Sequence, residues 1–231
     1  LDERFFALNG DVLADLDLTA LWNQHEETGA QATLGLYEVE DSSSYGLVDI
    51  DSDGQVLKFS EKDPTRTGTG LINAGTYVLE REAIAAIEPG REVSIETEFY
   101  PSITGKGLYA RPLEGYWMDF GTRQRYFDAS WDILEGRIHT EVEKHSDGVF
   151  IAAGAEVDPT ATIGPRAVIG AGAKVASGAR VTGSVVLEGS EIGADAVIEN
   201  SIIGPGVNVA ARGTVGNEVL GKNEIGETVN A

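Results

Sequence analysis

The sequence predicts an α/β domain followed by a left-handed parallel β-helix, because two patterns meet near residue 148. Up to residue 136, apolar runs typical of strands alternate with amphipathic stretches typical of helices, as in α/β layer structures. From residue 149 onward, branched apolar residues recur at six-residue steps, with small residues between them. We therefore expect a mixed sheet flanked by helices in 1–136, a polar linker in 137–148 and a β-helix in 149–231.

Local signals place the elements of the α/β part. Leu21, Trp22 and His25 recur at helical spacing, and Gly29 ends that helix, with His25 expected as a packing residue. The Asp-Ser-Asp-Gly stretch at 51–54 is a strong turn signal between two strands. The predicted strands are 5–8, 32–39, two within 45–59, 71–79 and 116–120, and the predicted helices are 18–28, 82–87 and 122–136.

The tail repeats with a period of six residues. One inward aliphatic side chain per six residues fits a left-handed β-helix with three short strands in each coil of about eighteen residues, which gives about four coils. The step shortens to five residues twice, which predicts tight corners at Gly183-Ser184 and Asn200-Ser201. The repeating residues are Ile151, Val157, Ile163, Ile169, Val175, Val181, Val186, Ile192, Ile198, Ile203, Val209 and Val215.

The charge of the chain limits its partners. The formal net charge is −21, from 38 acidic and 17 basic residues, so nucleic acids and anionic lipid surfaces are disfavoured. An acidic, lysine-poor surface is also typical of proteins that work in a salt-rich cytoplasm, and a merely acidic mesophilic protein is the alternative. Unfolding at low KCl concentration would indicate a salt-adapted protein, and stability that does not depend on KCl would indicate a mesophilic one.

Other composition features exclude further classes of site. The chain has no cysteine, which excludes disulfides and thiolate metal sites. No apolar run approaches the ~20 residues that a membrane-spanning helix needs, and no charged-then-apolar leader opens the chain. We therefore expect a cytoplasmic protein.

Two acidic residues follow predicted strands and are candidate metal ligands. Asp11 ends the sequence Asn9-Gly10-Asp11, and Asp119 lies directly before a predicted helix. Ligands of open α/β sheets bind beyond the carboxyl ends of strands, and Mg²⁺ is commonly held there by one or two carboxylates together with substrate phosphate. The alternatives are a turn or cap for Asp11, which is the commoner role of such a residue, and a helix N-terminal acid for Asp119.

A second set of candidates suits a phosphorylated, hydroxyl-rich ligand. Lys62 supplies a compact positive charge beside Glu61, although a solvated surface pair is the alternative. Gly75 permits close approach of the backbone, and Asn73 and Tyr77 can hydrogen-bond sugar hydroxyls. A strand with a bulge at Gly75 is the alternative interpretation.

In their order along the chain, these motifs resemble those of the sugar-1-phosphate nucleotidyltransferases. The resemblance covers nearly the whole chain and is nearest to members with a hexapeptide tail, such as mannose-1-phosphate guanylyltransferases and glucose-1-phosphate thymidylyltransferase-like proteins. It implies an incomplete Rossmann-like nucleotidyltransferase domain ahead of the β-helix. The motifs are NGD at 9–11, YGLV at 45–48, EK at 61–62, INAGTY at 72–77, SIE at 94–96 and GYWMDFGT at 115–122.

The resemblance also implies an activity and a set of site residues. The activity is Mg²⁺-dependent transfer of a nucleotidyl group from a nucleoside triphosphate to a sugar 1-phosphate, with pyrophosphate leaving. Asp11 and Asp119 match the catalytic pair that binds the metal. The residues that match substrate-binding positions are Gly10, Gly46, Glu61, Lys62, Asn73, Gly75 and Tyr77.

The sequence departs from the family in one respect. Such enzymes open with a Gly-x-Gly-Thr-Arg loop and a Pro-Lys-Pro stretch, which this sequence lacks, so we expect its nucleotide-binding part to be missing. The sugar, the base and the order of the homo-oligomer expected through the β-helix all stay open. A non-catalytic subunit or scaffold is the first alternative. A β-helix acyltransferase is disfavoured because His25, His139 and His145 all precede the repeats.

Overall fold

The computed structural model describes residues 2–60, 68–141 and 148–222, and the backbone of 228–230. The chain divides into two compact units, Leu1–Gly121 and Thr122–Ala231. Among the helices that are described, none is both long enough and apolar enough to cross a membrane.

A six-stranded mixed sheet forms the centre of the first unit, and two further strands form a separate ladder. The strands are β1 (Arg4–Leu8), β2 (Val12–Leu16), β3 (Ala32–Val39), β4 (Leu47–Ile50), β5 (Val56–Ser60), β6 (Gly70–Glu80), β7 (Leu108–Pro112) and β8 (Gly115–Asp119). Strand β6 is central and pairs antiparallel with β1, β3 and β4, while β3 pairs parallel with β7. Among the described residues, strands β2 and β8 pair with each other alone.

The first helix, α1 (Leu18–Thr28), has the bounds and the end that the sequence predicts. The Asp17 side chain accepts a hydrogen bond from Ala20 N at 2.9 Å, and Gly29 adopts a left-handed conformation that ends the helix. His25 is a buried packing residue, as expected, with Nδ1 2.8 Å from Thr33 Oγ1. Burial lowers the pKa of His25.

Most predicted elements of the first unit are confirmed, but some were missed. Helix α2 (Arg81–Ala85) and strands β3 to β6 follow the predicted segments closely. The missed elements are β2, β7, a π-helix at Ile95–Phe99 and α3 (Tyr100–Ile103). Strand β2 was missed because its residues are only half-buried and its partner β8 is far away in the sequence, so no local apolar pattern marks it.

The second unit contains a parallel β-helix of about four coils, as predicted. Its three faces are the stacks β10-β13-β16-β19, β11-β14-β17-β20 and β9-β12-β15-β18-β21, with β22 antiparallel to β21. The strands are β9 (Val149–Ile151), β10 (Glu156–Val157), β11 (Thr162–Ile163), β12 (Ala167–Ile169), β13 (Lys174–Val175), β14 (Arg180–Thr182), β15 (Ser184–Val186), β16 (Glu191–Ile192), β17 (Val197–Glu199), β18 (Ile202–Ile203), β19 (Asn208–Val209), β20 (Thr214–Gly216), β21 (Val219–Lys222) and β22 (Thr228–Asn230).

The two shortened steps in the repeat are tight corners, as the sequence predicts. Gly183 and Asn200 have positive φ angles of 57° and 46°, which turn the chain within one residue. The following serines form a ladder, because Ser184 Oγ accepts a hydrogen bond from Ser201 N at 3.0 Å. Each of these corners removes one residue from the coil that contains it. The coils with such a corner are therefore shorter than the first coil.

Helix α4 (Arg123–Glu135) covers one face of the β-helix. Thr122 caps its start and Gly136 its end. Its buried residues Phe127, Trp131 and Leu134 form an apolar cluster with Val185. The helix that the sequence analysis assigned to the first domain therefore packs within the second compact unit, because its apolar stripe needs the apolar side chains of β12, β15 and β18 to cover it.

The inward aliphatic residues should carry the stability of the β-helix. Ile198 is fully buried in the coil core, so Ile198→Ala should lower the free energy of unfolding by about 2–5 kcal/mol. Ile151, in the first coil, is 47% exposed, so Ile151→Ala is a matched control and should cost much less. Urea unfolding followed by circular dichroism measures both. Equal losses in the two variants would contradict this difference in burial.

Candidate functional site

The ladder between β2 and β8 brings the two candidate acids together. Asp11 lies in the turn between β1 and β2, and Asp119 is the last residue of β8. The two strands run antiparallel with Val12 opposite Asp119, and Phe120 N donates a hydrogen bond to Asp11 O at 2.9 Å. The ladder therefore brings Asp11 and Asp119 close together, although they are more than a hundred residues apart in the sequence.

A glycine leaves open the space between the two carboxylates. A Cβ atom on Gly121 would lie 3.2 Å from Asp119 Oδ1 and 3.7 Å from Asp11 Oδ2. The distance between Asp119 Oδ1 and Asp11 Oδ2 is therefore at most the sum of these two distances. Gly121 N also donates a hydrogen bond to Asp119 Oδ1 at 2.9 Å.

This arrangement suits a cation that needs only two protein ligands. Within 2–60, 68–141 and 148–222, no group of three or more His, Cys, Asp or Glu residues is placed to hold a metal ion. A hard divalent cation such as Mg²⁺ commonly takes one or two carboxylates and completes its coordination with water and substrate phosphates. The carboxylates of Asp11 and Asp119 fit that pattern of donors.

A cavity of about 210 Å³ lies beside the carboxylates. It collects Asp11, Asp119, Gly46, Asn73 and Gly75, five of the residues that the sequence analysis selected. The other residues that line it are Asn9, Val12, Tyr45, Phe59, Glu96 and Trp117. A second cavity, of about 310 Å³, shares some of this lining but contains neither carboxylate of the pair.

Gly75 sets the contact between the central strand and the turn that carries Asp11. Its φ angle is 68°, and a Cβ atom there would lie 2.9 Å from the Asn9 side chain. Asn9 N donates a hydrogen bond to Gly75 O at 2.8 Å. The register between β3 and β6 shifts between Leu34 and Leu36, so the bulged strand expected as an alternative is present. Gly75 thus lies in the bulged part of β6 and also allows the turn at Asn9 to pack closely against that strand.

Asn73 is held by three hydrogen bonds. Its Nδ2 donates to Tyr77 Oη at 2.8 Å and to Glu96 Oε1 at 2.9 Å, and its Oδ1 accepts from Gly75 N at 3.1 Å. Tyr77 is only 3% exposed and does not line the cavity. Burial raises the pKa of Tyr77, the hydrogen bond from Asn73 opposes that shift, and the charge of Glu96 adds to it. The structure therefore places Tyr77 behind Asn73, where it supports the amide rather than facing the cavity.

The remaining predicted residues are placed differently. Gly46 lines the cavity just before β4, where a Cβ atom would lie 3.3 Å from Ser60 O. Gly10 is exposed in the turn before Asp11 and is absent from the lining. Glu61 and Lys62 lie outside the described residues.

Sequence reasoning assigned no role to Trp117 or Glu96. The Trp117 ring stacks on Tyr37 with ring centroids 5.5 Å apart, and its Nε1 donates to Ala74 O at 2.9 Å. Trp117 is two residues before Asp119 on β8, so strand alternation puts both on the same face, a signal that was legible in the sequence. The sequence analysis included Glu96 only as part of the SIE motif. The π-helix on which it lies was not predicted, because its residues show no simple apolar period.

Comparison with known proteins agrees with this geometry. The family model described as "Nucleotidyl transferase" matches residues 1–136, which is more than half of the chain. This chain belongs to the nucleotidyl transferase family. A second model, described as "GMPPB C-terminal domain", matches residues 145–229 and so covers the β-helix. The family that the order of motifs indicated is confirmed.

The curated relatives are longer than this member of the nucleotidyl transferase family. Mannose-1-phosphate guanylyltransferase of Mycobacterium tuberculosis is 36% identical over 216 residues, which is 91% of this chain and 55% of that protein. Mannose-1-phosphate guanylyltransferase 1 of Arabidopsis thaliana is 37% identical over 87% of this chain and 58% of that protein. A crystal structure of HddC from Yersinia pseudotuberculosis matches 55% of this chain and 54% of that one, with 31% identity and a TM-score of 0.48. The chain thus spans little more than half the length of the two guanylyltransferases.

The space at Gly121 can be tested by filling it. In Gly121→Ala the new methyl group would crowd the Asp119 carboxylate and contact that of Asp11, so the affinity for Mn²⁺ should fall about ten- to a hundredfold. Gly216→Ala is the control, because a Cβ atom there meets nothing within 4 Å. Titration of Mn²⁺ by electron paramagnetic resonance measures both. Unchanged Mn²⁺ binding in Gly121→Ala would show that the cation does not lie between these carboxylates.

Proposed function

We propose that this chain is the sugar-phosphate-binding part of an enzyme that transfers a nucleotidyl group from a nucleoside triphosphate to a sugar 1-phosphate. The observation that carries the proposal is the convergence of Asp11 and Asp119 beside a cavity. Membership of the nucleotidyl transferase family supports it. Because the two relatives are named as mannose-1-phosphate guanylyltransferases, GTP and mannose 1-phosphate are the proposed substrates.

The charge of the cavity supports a cation at the acid pair. Asp11, Asp119 and Glu96 line the cavity, whereas no Lys or Arg is among its described lining residues. A doubly charged phosphate would be repelled by such a wall unless a cation lay between them. We assign that cation as Mg²⁺, held by Asp11 and Asp119. When bound, Mg²⁺ supplies neutralisation of the charge on the phosphate groups.

The other residues that line the cavity are suited to the sugar. Gly46 and Gly75 expose backbone to the ligand, Asn73 and Glu96 supply polar edges, and the Trp117 ring supplies an apolar face. We extend the proposal to two residues outside the described part of the chain. There Glu61 would hold sugar hydroxyls and Lys62 would lie near the sugar phosphate, as the family resemblance implies.

The proposed chemistry is a direct displacement. A phosphate oxygen of the sugar 1-phosphate attacks the α-phosphorus of the triphosphate, and the bond to pyrophosphate breaks on the opposite side. The residues of this chain bind and orient the attacking phosphate and form no covalent bond to it, so their contribution is positioning and electrostatic. The cytoplasmic location, the salt-adapted surface and the assembly of copies through a left-handed β-helix stay predictions from the sequence.

Pyrophosphate release from GTP and mannose 1-phosphate in the presence of Mg²⁺ tests the function. The assay should be run on this chain and on any longer gene product that contains it. Asp11→Asn and Asp119→Asn should each lower kcat/KM by about a hundredfold or more, because each removes a charge that holds the cation. Asp53→Asn, at an exposed turn of the same unit, should leave kcat/KM unchanged.

Three outcomes would contradict the proposal. Equal values of kcat/KM for Asp11→Asn and Asp53→Asn would show that the acid pair has no role in catalysis. Binding of mannose 1-phosphate with no pyrophosphate release by any longer gene product would indicate a non-catalytic scaffold. Acetyl transfer from coenzyme A, without nucleotidyl transfer, would indicate a β-helix acyltransferase.

A further inference from the structure

Glu96 reaches the cavity from an unusual element. It lies on the π-helix Ile95–Phe99, whose start is capped by the Ser94 side chain accepting from Thr97 N at 3.2 Å. π-Helical turns are rare and occur frequently at functional sites. Glu96 is half-buried, lines the cavity and accepts a hydrogen bond from Asn73 Nδ2.

The contacts of Asn73 leave its amide only one orientation. Turning the amide over would set Oδ1 against the Glu96 carboxylate and Nδ2 against the N–H group of Gly75. Both contacts would then join like groups, acceptor to acceptor and donor to donor. Glu96 and Gly75 therefore fix the amide from its two ends.

The fixed amide has little hydrogen-bonding capacity left. Both N–H groups of Asn73 are used, by Tyr77 and by Glu96, and Oδ1 has spent one of its two lone pairs on Gly75. The capacity that remains is a single acceptor position on Oδ1. A ligand group that bonds Asn73 must consequently donate a hydrogen.

We propose that Glu96 is a positioning residue for sugar recognition, which locks the Asn73 amide as an acceptor for a sugar hydroxyl. The inference rests on the proposed function, because it takes the ligand of the cavity to be a sugar 1-phosphate. This role explains why the Glu96 carboxylate lines the cavity although the proposed ligand is an anion. A carboxylate has only acceptor atoms, so it cannot hold the amide in the opposite orientation.

Binding of mannose 1-phosphate in the presence of Mg²⁺, measured by isothermal titration calorimetry, tests the role of Glu96. Glu96→Ala should weaken binding about ten- to a hundredfold, the usual cost of losing a hydrogen bond to a charged group. Glu96→Gln should recover most of that affinity, since the Gln carbonyl can still accept the hydrogen of Asn73 Nδ2. The double variant with Asn73→Ala should bind little more weakly than Asn73→Ala alone, because Glu96 acts on the sugar through Asn73 and its contact with Tyr77 lies outside the cavity lining.

Glu98 offers a matched control on the same π-helix. It is exposed and paired with Arg91 at 2.7 Å, away from the cavity lining, so Glu98→Ala should bind mannose 1-phosphate like the unchanged protein. Thermal unfolding midpoints of Glu96→Ala and Glu98→Ala show whether the helix is equally intact in both. A ligand-free measurement is also available, since the side-chain amide signals of Asn73 in a ¹⁵N–¹H spectrum should shift in Glu96→Ala and stay in place in Glu98→Ala.

The outcomes separate this inference from the proposed function. Failure of the unchanged protein to bind either mannose or glucose 1-phosphate would overturn the proposed function, and this inference with it. Normal binding in Glu96→Ala, additive losses in the double variant, or an unmoved Asn73 amide signal would overturn only the role of Glu96.

Discussion

The site depends on one pairing, the antiparallel ladder between β2 and β8. In the part of the chain that the structure describes, neither strand belongs to the main sheet and each pairs with the other alone, so the ladder links the turn at Asp11 to the end of the first unit. By placing Val12 opposite Asp119, it brings the carboxylate of Asp11 to that of Asp119. Gly121 keeps the space between them open. Without this register, the acids would be two unrelated surface residues.

Electrostatics then decides how the cavity can work. Three carboxylates line it and, among the described residues, no basic residue does, so a cation held by carboxylates would offset the repulsion of an anionic ligand. The acids divide into two roles. Asp11 and Asp119 form the pair that suits a cation, whereas Glu96 accepts a hydrogen bond from Asn73 at the polar edge of the cavity where we propose that the sugar binds. Tyr77, which is buried behind Asn73 and has its pKa raised by that burial, supports that edge. The same residue type thus serves two purposes according to its partners.

The sequence predicted best what local rules control. Helix α1 was found because its apolar spacing and the Gly29 stop agree, and the β-helix was found because its period and its shortened steps are visible in the sequence. Strand β2 and the π-helix were not found, because half-buried residues with distant partners leave no local pattern. Asp11 and Asp119 were selected as ligands at strand ends, yet a separate ladder, and not a shared edge of the main sheet, unites them. Tyr77 was expected in the cavity, but only the fold shows that it is buried.

The most direct test of this account is a crystal structure of the protein grown with Mn²⁺ and mannose 1-phosphate, with anomalous data collected to locate the metal. The account predicts one Mn²⁺ peak that contacts a carboxylate oxygen of Asp11 and one of Asp119, with the sugar phosphate beside it in the cavity. An Mn²⁺ peak bound elsewhere, with these two side chains directed away from each other, would contradict it.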